Sequence, residues 1–282
     1  MDWVERMNGV MDDLEAHLCE PIDTEEISRI MAWPYSAFQR SFAPITGISL
    51  SEYLRRRRLT LAAYDLQHTD MRVLDVAVKY GYDSADAFAA AFKRLHGVTP
   101  QEARQPGVPL KFCARMKFTF AIVGVEEMDY SVVNRAAFSV LGVRRVTPQP
   151  AGAWGIVKAD DTRERLLELT GKPCELGLCF GFLEDGSNDY MCGAEYAGAE
   201  DWGYDRFTYP ETTFLTFTAK GTISDGGLWK TWQRIYGEFL PQSEYRQLDL
   251  PTIERYVVWD EERDDMLVEI NIPVEKMRRD EA

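Results

Sequence analysis

The sequence contains little from which a disulfide or metal scaffold could be built. Among its 282 residues are only five cysteines and three histidines. The cysteine count is odd and shows no CxxC spacing, so we predict no disulfide framework. None of the histidines (His17, His68 and His96) lies beside cysteines or carboxylates in a ligand pattern. We therefore expect no bound metal and no cofactor.

Long hydrophobic runs are also missing. The apolar stretches are too short to cross a bilayer, and acidic Asp2 and Glu5 stand where a secretory signal would carry basic and then apolar residues. With 20 glycines, 13 prolines and no low-complexity tract, the chain is neither disordered nor fibrous as a whole. We expect a soluble, cytoplasmic protein without a membrane partner, long enough for one large domain or two ordinary ones.

Basic residues are scarce: 32 lysines and arginines face 46 acidic residues, giving a net charge of −14. This balance argues against a general polyanion binder, because non-specific nucleic-acid affinity comes from cations that neutralise phosphates. Residues 1–108 carry 12 basic and 16 acidic residues, and residues 109–282 carry 20 and 30. The negative charge is thus concentrated in the second part, whereas the arginine run 55–58 lies in the first.

The two parts of the chain differ in their hydrophobic pattern. Up to about residue 105 the apolar spacing is helical, and capping boxes at Asp23 and Ser49 help to delimit seven predicted helices. Residues 105–109 contain two prolines and a glycine, which indicates a linker. The second part predicts a helix over 228–240 and strands over 115–125, 176–183, 188–197, 212–220, 253–260 and 265–274. The predicted fold class is multidomain: an all-α domain followed by an α+β domain.

Two pairs of short helices, at 24–45 and 73–96, have the spacing of helix-turn-helix motifs. The strings Val73-Leu74-Asp75-Val76-Ala77, Tyr80-Gly81-Tyr82-Asp83-Ser84, Phe92-Lys93-Arg94 and Gly97-Val98-Thr99-Pro100 resemble the signature of AraC-family transcription activators. The resemblance implies a double helix-turn-helix DNA-binding domain over 1–106, with promoter DNA as its partner. A connecting helix of about 18 residues is about 27 Å long, enough to hold two reading helices about one DNA turn apart.

The resemblance also implies which side chains contact DNA. Gln39 and Arg40 match base-contacting positions of the first reading helix, and Gln with adenine or Arg with guanine are the expected pairings. The DNA-contact candidates are Ser36, Gln39 and Arg40 in the first motif, and Ser84, Ala85, Asp86, Ala90 and Lys93 in the second. Because alanine cannot donate to a base edge, we predict that the first motif performs most direct readout and the second mainly positions. For Arg57, a DNA contact and an internal carboxylate partner are equally good interpretations.

The second part resembles the GyrI-like effector-binding domain of Rob-type and multidrug-sensing regulators. The resemblance lies in the strings 190–196, 229–236, 239–243, 253–256 and 268–274. It implies a domain over 111–276 made of two strand-helix-strand-strand units in an antiparallel sheet, with a groove on the open face. The implied partner is a small cationic or aromatic effector.

Alternation in the last predicted strand gives a candidate for the effector contact. Val268, Ile270 and Ile272 point to the face under the helices, so Glu269 points to the predicted groove. A carboxylate in an aromatic groove is costly to desolvate, and a bound cation offsets that cost. Relatives use a carboxylate at this position to bind lipophilic cations. The ligand candidates are Glu269, Tyr190, Phe182, Phe217, Trp259 and Asn271, with Phe180 and Tyr196 as further walls and Trp232 and Tyr236 as core.

Three functions are compatible with these features. The leading one is a ligand-responsive transcription regulator, an activator that contacts RNA polymerase and is not an enzyme; monomer and dimer remain open. The alternative is a GyrI-like hydrolase acting on a strained or electrophilic compound, with Glu269 as general base and Tyr190 nearby. A third is an interaction protein whose acidic second part mimics nucleic acid.

Overall fold

The computed structural model describes residues 3–119, 127–183 and 186–277. Of these, residues 3–32 and 50–119 form one compact unit, and residues 33–49 form a second unit together with 127–183 and 186–277. The predicted domains 1–106 and 111–276 remain predictions about sequence boundaries. The grouping of residues 33–49 with the second unit was not foreseen.

Six α-helices occupy the described chain up to residue 96. They are α1 (Trp3–Ala16), α2 (Thr24–Met31), α3 (Tyr35–Thr46), α4 (Leu50–His68), α5 (Val73–Lys79) and α6 (Ala85–His96). A 3₁₀ turn at Glu102–Arg104 takes the place of the predicted seventh helix. All but α3 belong to the first unit.

Capping residues fix the ends of the helices in the first unit. Asp23 Oδ1 accepts hydrogen bonds from the amides of Glu25 and Glu26, at 3.1 and 3.0 Å, and so begins α2. Ser84 Oγ accepts from the amide of Ala87 at 3.1 Å and begins α6. Gly81 follows α5 with φ 78°, the left-handed conformation that the sequence predicted there.

The described residues of the second unit form nine strands. They are β1 (Tyr130–Arg135), β2 (Phe138–Thr147), β3 (Leu176–Phe182), β4 (Asn188–Glu195), β5 (Asp205–Tyr209), β6 (Thr212–Gly221), β7 (Tyr245–Gln247), β8 (Thr252–Asp260) and β9 (Asp265–Lys276). Its further helices are α7 (Pro150–Ala159), α8 (Thr162–Thr170) and α9 (Gly227–Arg234). A π-helical turn, Ile235–Phe239, and a 3₁₀ turn, Leu240–Gln242, extend α9 over the range predicted as one helix.

The strands form one antiparallel sheet in the order β1-β6-β9-β8-β3-β4-β2-β5, with β7 paired to β9. The segments β2-α7-α8-β3-β4 and β6-α9-β8-β9 are two similar strand-helix-strand-strand units that meet where β3 pairs with β8. This confirms the predicted fold class. The predicted strand over 115–125 is wrong for residues 115–119, which are irregular; the remainder lies outside the described residues.

The two sheet faces have different surroundings. Helices α7 and α8 pack on β2 and β4, and α9 packs on β6. Val268, Ile270 and Ile272 are fully buried on this helical face, so the alternation predicted for β9 is confirmed.

No described helix is long and apolar enough to span a membrane. Within residues 3–119, 127–183 and 186–277, no group of His, Cys, Asp and Glu is arranged to hold a metal ion.

Candidate ligand-binding and DNA-binding sites

A cavity of about 480 Å³ lies on the helical face of the sheet, within the size range of small-molecule sites. Several secondary-structure elements of the second unit contribute to it. From the strands come Cys179, Phe182, Asn188, Tyr190, Thr252, Glu254, Tyr256, Trp259 and Met266, and from α9 and the π-helical turn come Leu228, Trp229, Trp232 and Tyr236. Arg40 and Pro44 of α3 complete one side.

Glu254 on β8 is the carboxylate of this cavity and is only 8% exposed. Its Oε1 accepts a hydrogen bond from Trp232 Nε1 at 2.8 Å. Its Oε2 accepts from the hydroxyls of Tyr190 and Tyr256, at 2.7 and 2.8 Å. Among the described residues no Lys, Arg or His nitrogen lies within 4.0 Å of it. Glu254 is therefore a buried carboxylate held by neutral donors and lacking an adjacent counter-ion.

Gly177 allows Tyr190 to reach Glu254. Gly177 on β3 pairs with both Cys192 and Glu254, and the Tyr190 ring crosses the space where a side chain at 177 would lie. A Cβ atom at that position would lie 2.6 Å from Tyr190 Cζ, closer than carbon atoms can approach. The hydroxyl can therefore cross β3 only because residue 177 has no side chain.

Burial and the nearby carboxylate keep the phenols neutral. Desolvation, followed by the charge of Glu254, raises the pKa of Tyr190 well above its ordinary value. The same two causes act in the same order on the pKa of Tyr256. Both hydroxyls therefore stay protonated at neutral pH and continue to donate hydrogen bonds to Glu254.

Aromatic rings form much of the cavity wall. Tyr256 and Trp259 meet edge to face with ring centroids 5.4 Å apart, and Trp232 stacks on Tyr236 at 5.4 Å. Tyr236 belongs to the π-helical turn, an irregularity that often marks a functional site. Trp229 and Trp259 remain partly exposed, which leaves the cavity open to solvent.

The structure places Glu269 away from these rings. It lies on the opposite sheet face, in a groove whose described lining, with Asn271 beside it, includes no aromatic residue. Glu269 accepts from Arg255 Nη1 at 3.4 Å, and Arg255 also donates to Glu175 at 2.6 Å. The prediction that Glu269 faces an aromatic groove is therefore wrong, because the aromatic cavity lies on the helical face and not on the open one.

The other predicted ligand residues divide between these locations. Tyr190, Phe182 and Trp259 line the cavity, and so do Trp232 and Tyr236, which the sequence had assigned to the core. Phe217 is buried against Phe239, Phe180 packs with Phe207 on the other face, and Tyr196 contacts Trp202. Sequence reasoning missed Glu254. Glu254 and Tyr256 are two residues apart on one predicted strand, so both point to the same sheet face, and this spacing was the available signal.

The second helix-turn-helix pair presents an open face on α6. Asp86, Ala90 and Lys93 are exposed along one side of the helix, while Phe88 and Phe92 are fully buried on the other. Ser84 caps the helix and Ala85 is half-buried. This face carries one acidic, one apolar and one basic side chain, so its predicted positioning role remains a prediction.

The DNA-contact candidates of α3 are all engaged within the second unit. Arg40 is only 4% exposed and donates to the carbonyls of Phe180 and Leu250, at 2.9 and 3.1 Å. Gln39 Oε1 accepts from the amide of Phe182 at 3.2 Å. Ser36 donates to Asp249. Their predicted contacts with bases are not available in this conformation and stay a prediction for one in which α3 is free.

The arginine run on α4 is used inside the first unit. Arg57, 7% exposed, makes a bidentate ion pair with Glu15 at 2.7 and 2.8 Å, which decides the open question in favour of an internal partner. Arg55 and Arg56 both pair with Glu52. Arg58 donates to the carbonyl of Leu18. In the described structure each of these four arginines therefore has a protein group, and not a DNA phosphate, as its partner.

Fold and cavity together define a chain that joins helix-turn-helix helices to a two-repeat sheet with a small-molecule cavity. A family model described as "GyrI-like small molecule binding domain" matches residues 128–275, and one described as "Helix-turn-helix domain" matches residues 27–106. The chain belongs to the GyrI-like family and carries an AraC-type helix-turn-helix region in front of that domain.

Relatives resemble either part separately. The chain is 38% identical over 87 residues to the HTH-type transcriptional activator AarP of Providencia stuartii, covering 31% of this chain and 64% of AarP. It is 35% identical over 92 residues to the transposon Tn10 TetD protein of Escherichia coli, covering 33% and 67%. The solved structure of SAV2435 bound to tetraphenylphosphonium is similar with a TM-score of 0.44 and 20% identity, over 52% of this chain and 94% of that one.

Proposed function

We propose that the protein is a DNA-binding transcription regulator whose GyrI-like unit binds a small lipophilic cation with aromatic character. The observation that carries the ligand assignment is Glu254, buried in an aromatic cavity with no adjacent counter-ion among the described residues. The AraC-type helix-turn-helix region supports DNA as the partner. Such a regulator acts in the cytoplasm, and as an activator it contacts RNA polymerase.

A cation suits this cavity for two physical reasons. Removing a carboxylate from water is costly, and three neutral hydrogen bonds leave its net negative charge in place. A bound cation supplies the opposite charge at that position. Tyr256, Trp232 and Trp259 also line the cavity, and a cation seated over the face of such a ring gains an attraction through the ring quadrupole that a neutral ligand of the same shape lacks.

Calorimetry with a matched ligand pair tests the ligand assignment. Methyltriphenylphosphonium is a permanent cation, and triphenylphosphine oxide is a neutral molecule with the same three phenyl rings. We expect saturable binding of the cation, and binding of the oxide weaker by at least about tenfold, or 1.4 kcal/mol. Equal affinities would contradict the assignment.

Selection from a pool of random duplexes tests DNA recognition by the full chain. A sequence-specific regulator enriches one motif that it binds at least about 10³-fold more tightly than unrelated duplex at the same salt concentration. Recovery of no motif, with and without the cation, would contradict a sequence-specific role. A supershift of the selected duplex with RNA polymerase then tests activation.

Hydrolysis remains the second candidate because of one observation: a tyrosine hydroxyl lies 2.7 Å from the cavity carboxylate. The pair differs from the predicted one, since Glu269 and Tyr190 lie on opposite sheet faces. Glu254 already accepts three hydrogen bonds, which leaves about one lone-pair site, on Oε1, for a substrate water in this conformation. Mass spectrometry of strained and electrophilic compounds after incubation separates turnover from unaltered binding.

A further inference from the structure

The predicted DNA-reading helix α3 forms part of the ligand unit. Its polar side chains bind two separate segments through four hydrogen bonds: the end of β3 at Phe180 and Phe182, and the segment before β8 at Asp249 and Leu250. The residues that make these contacts are Ser36, Gln39 and Arg40, the complete set predicted to contact DNA from this helix. The face of α3 that would enter a major groove is therefore occupied.

Arg40 links this docking to the ligand cavity. Arg40 lines the same cavity as Glu254. Two of its nitrogens donate to backbone carbonyls, while its buried Nε has no hydrogen-bond partner among the described residues. No described carboxylate lies within 4.0 Å of it. The cavity thus contains one buried cation and one buried anion, neither of them in a direct ion pair.

Buried charges in proteins are generally compensated by an opposite charge. Arg40 and Glu254 line one cavity, and within the described residues neither has a partner of opposite charge within 4.0 Å, so each is a candidate to compensate the other. A ligand cation beside Glu254 would replace Arg40 in this role. It would also place two positive charges in one cavity lined largely by aromatic side chains, where their repulsion is screened less than in bulk water.

We propose that Arg40 is an internal substitute for the effector cation, and that binding of the effector releases α3 for DNA. In the ligand-free state Arg40 balances Glu254 and keeps the reading helix docked. In the bound state the effector balances Glu254, and Arg40 leaves the cavity together with Ser36 and Gln39. This inference rests on the proposed cation site.

Linkage makes the coupling reciprocal. The docked and DNA-bound states of Arg40 exclude each other, because the donors that would pair with guanine are bonded to the Phe180 and Leu250 carbonyls. If the cation raises DNA affinity by some factor, saturating duplex must raise cation affinity by the same factor. Couplings of this kind are typically about 5- to 150-fold.

The first test removes the internal cation. Arg40→Gln should raise the affinity for methyltriphenylphosphonium at least about fivefold and leave that for triphenylphosphine oxide unchanged. Arg165→Gln, which removes an exposed arginine from α8, is the charge-matched control and should behave like the wild type. An Arg40→Gln affinity equal to or below that of the wild type would overturn the proposal.

The second test loosens the docking without touching the cavity or the reading residues. Asp249→Ala removes the hydrogen-bond acceptor of Ser36 and should raise ligand-free affinity for the selected duplex at least about fivefold. Glu168→Gln changes the net charge equally at an exposed α8 site and controls for non-specific attraction to phosphate. In the wild type the cation should produce the same rise. An unchanged or lower DNA affinity with cation would overturn the coupling.

Hydrogen exchange reports release directly. The amide of Phe182 donates to Gln39 and should exchange faster when the cation is bound. If the wild type does not bind the cation, the proposed function and this inference both fail. If it binds, and Arg40→Gln and Asp249→Ala have no effect, only the coupling fails.

Discussion

Glu254 and Glu269 lie on neighbouring strands of one sheet and have opposite environments. Glu254 lies among aromatic rings and accepts hydrogen bonds only from neutral donors. The side chain of Glu269 is 38% exposed, and its Oε2 lies 3.4 Å from Arg255 Nη1. The difference comes from strand parity, because the two side chains point to opposite faces. A carboxylate that already has a counter-ion gains little from a cationic ligand. The carboxylate without one is the better ligand site.

The largest effect on cation affinity is expected when each of these two carboxylate charges is removed in turn. We expect Glu254→Gln to weaken methyltriphenylphosphonium binding at least about 30-fold, or 2 kcal/mol, because truncating a buried charge partner typically costs that much or more. Glu269→Gln is the matched control and should bind as the wild type does. Titration calorimetry measures both. Comparable losses in the two variants would remove the distinction between the faces.

Filling the space under Tyr190 should have the next largest effect. In Gly177→Ala the new Cβ clashes with the phenol, so we expect about tenfold weaker cation binding and unfolding easier by about 1–3 kcal/mol. Gly155→Ala on α7 adds the same methyl group where no atom lies within 4 Å, and it should stabilise the chain slightly. Urea unfolding with calorimetry compares the pair. Unchanged binding in Gly177→Ala would show that the Tyr190 contact is dispensable.

Folding stability at alkaline pH should depend on the buried phenols of the helical face. Their pKa values are raised in the folded chain, so unfolded tyrosines ionise near pH 10 while Tyr190 and Tyr256 stay neutral. Stability should therefore be independent of these groups below pH 10 and fall above it by about 1.4 kcal/mol per pH unit for each phenol. The double variant Tyr190→Phe/Tyr256→Phe should show a shallower fall, while Tyr64→Phe, at an exposed site, should match the wild type.

The smallest effect is expected on the open face. Arg255→Gln breaks ion pairs with Glu175 and Glu269 that are partly exposed, and such pairs contribute at most about 1 kcal/mol. We expect cation affinity to stay at the wild-type value and the unfolding midpoint to move little. A strong loss of cation binding in this variant would place the ligand on the open face.

Much of the fold could be predicted from the sequence because local signals agree there with the tertiary structure. The cap at Asp23, the left-handed Gly81 and the alternation of Val268, Ile270 and Ile272 are short-range properties, and each is present. The face that carries the cavity could not be read in the same way. It depends on where α9 and its π-helical turn pack, so the parity of β9 was predicted correctly while the aromatic lining predicted around Glu269 was wrong.

The docking of α3 against β3 and the segment before β8 could not be predicted from the sequence. Gln39 and Arg40 have the chemistry to read bases, and the same donors and acceptors suit backbone carbonyls and amides. The Phe180 carbonyl is 140 residues away along the chain from Arg40. No local pattern distinguishes these two uses of one guanidinium.

A crystal structure of the full chain with bound methyltriphenylphosphonium would locate the ligand site and show the position of Arg40 together. The expected result is that the phosphorus atom lies in the cavity beside Glu254, among Tyr190, Tyr256 and Trp232, with Arg40 displaced from the Phe180 and Leu250 carbonyls. A cation seated beside Glu269 on the open face, with Glu254 unchanged, would contradict it.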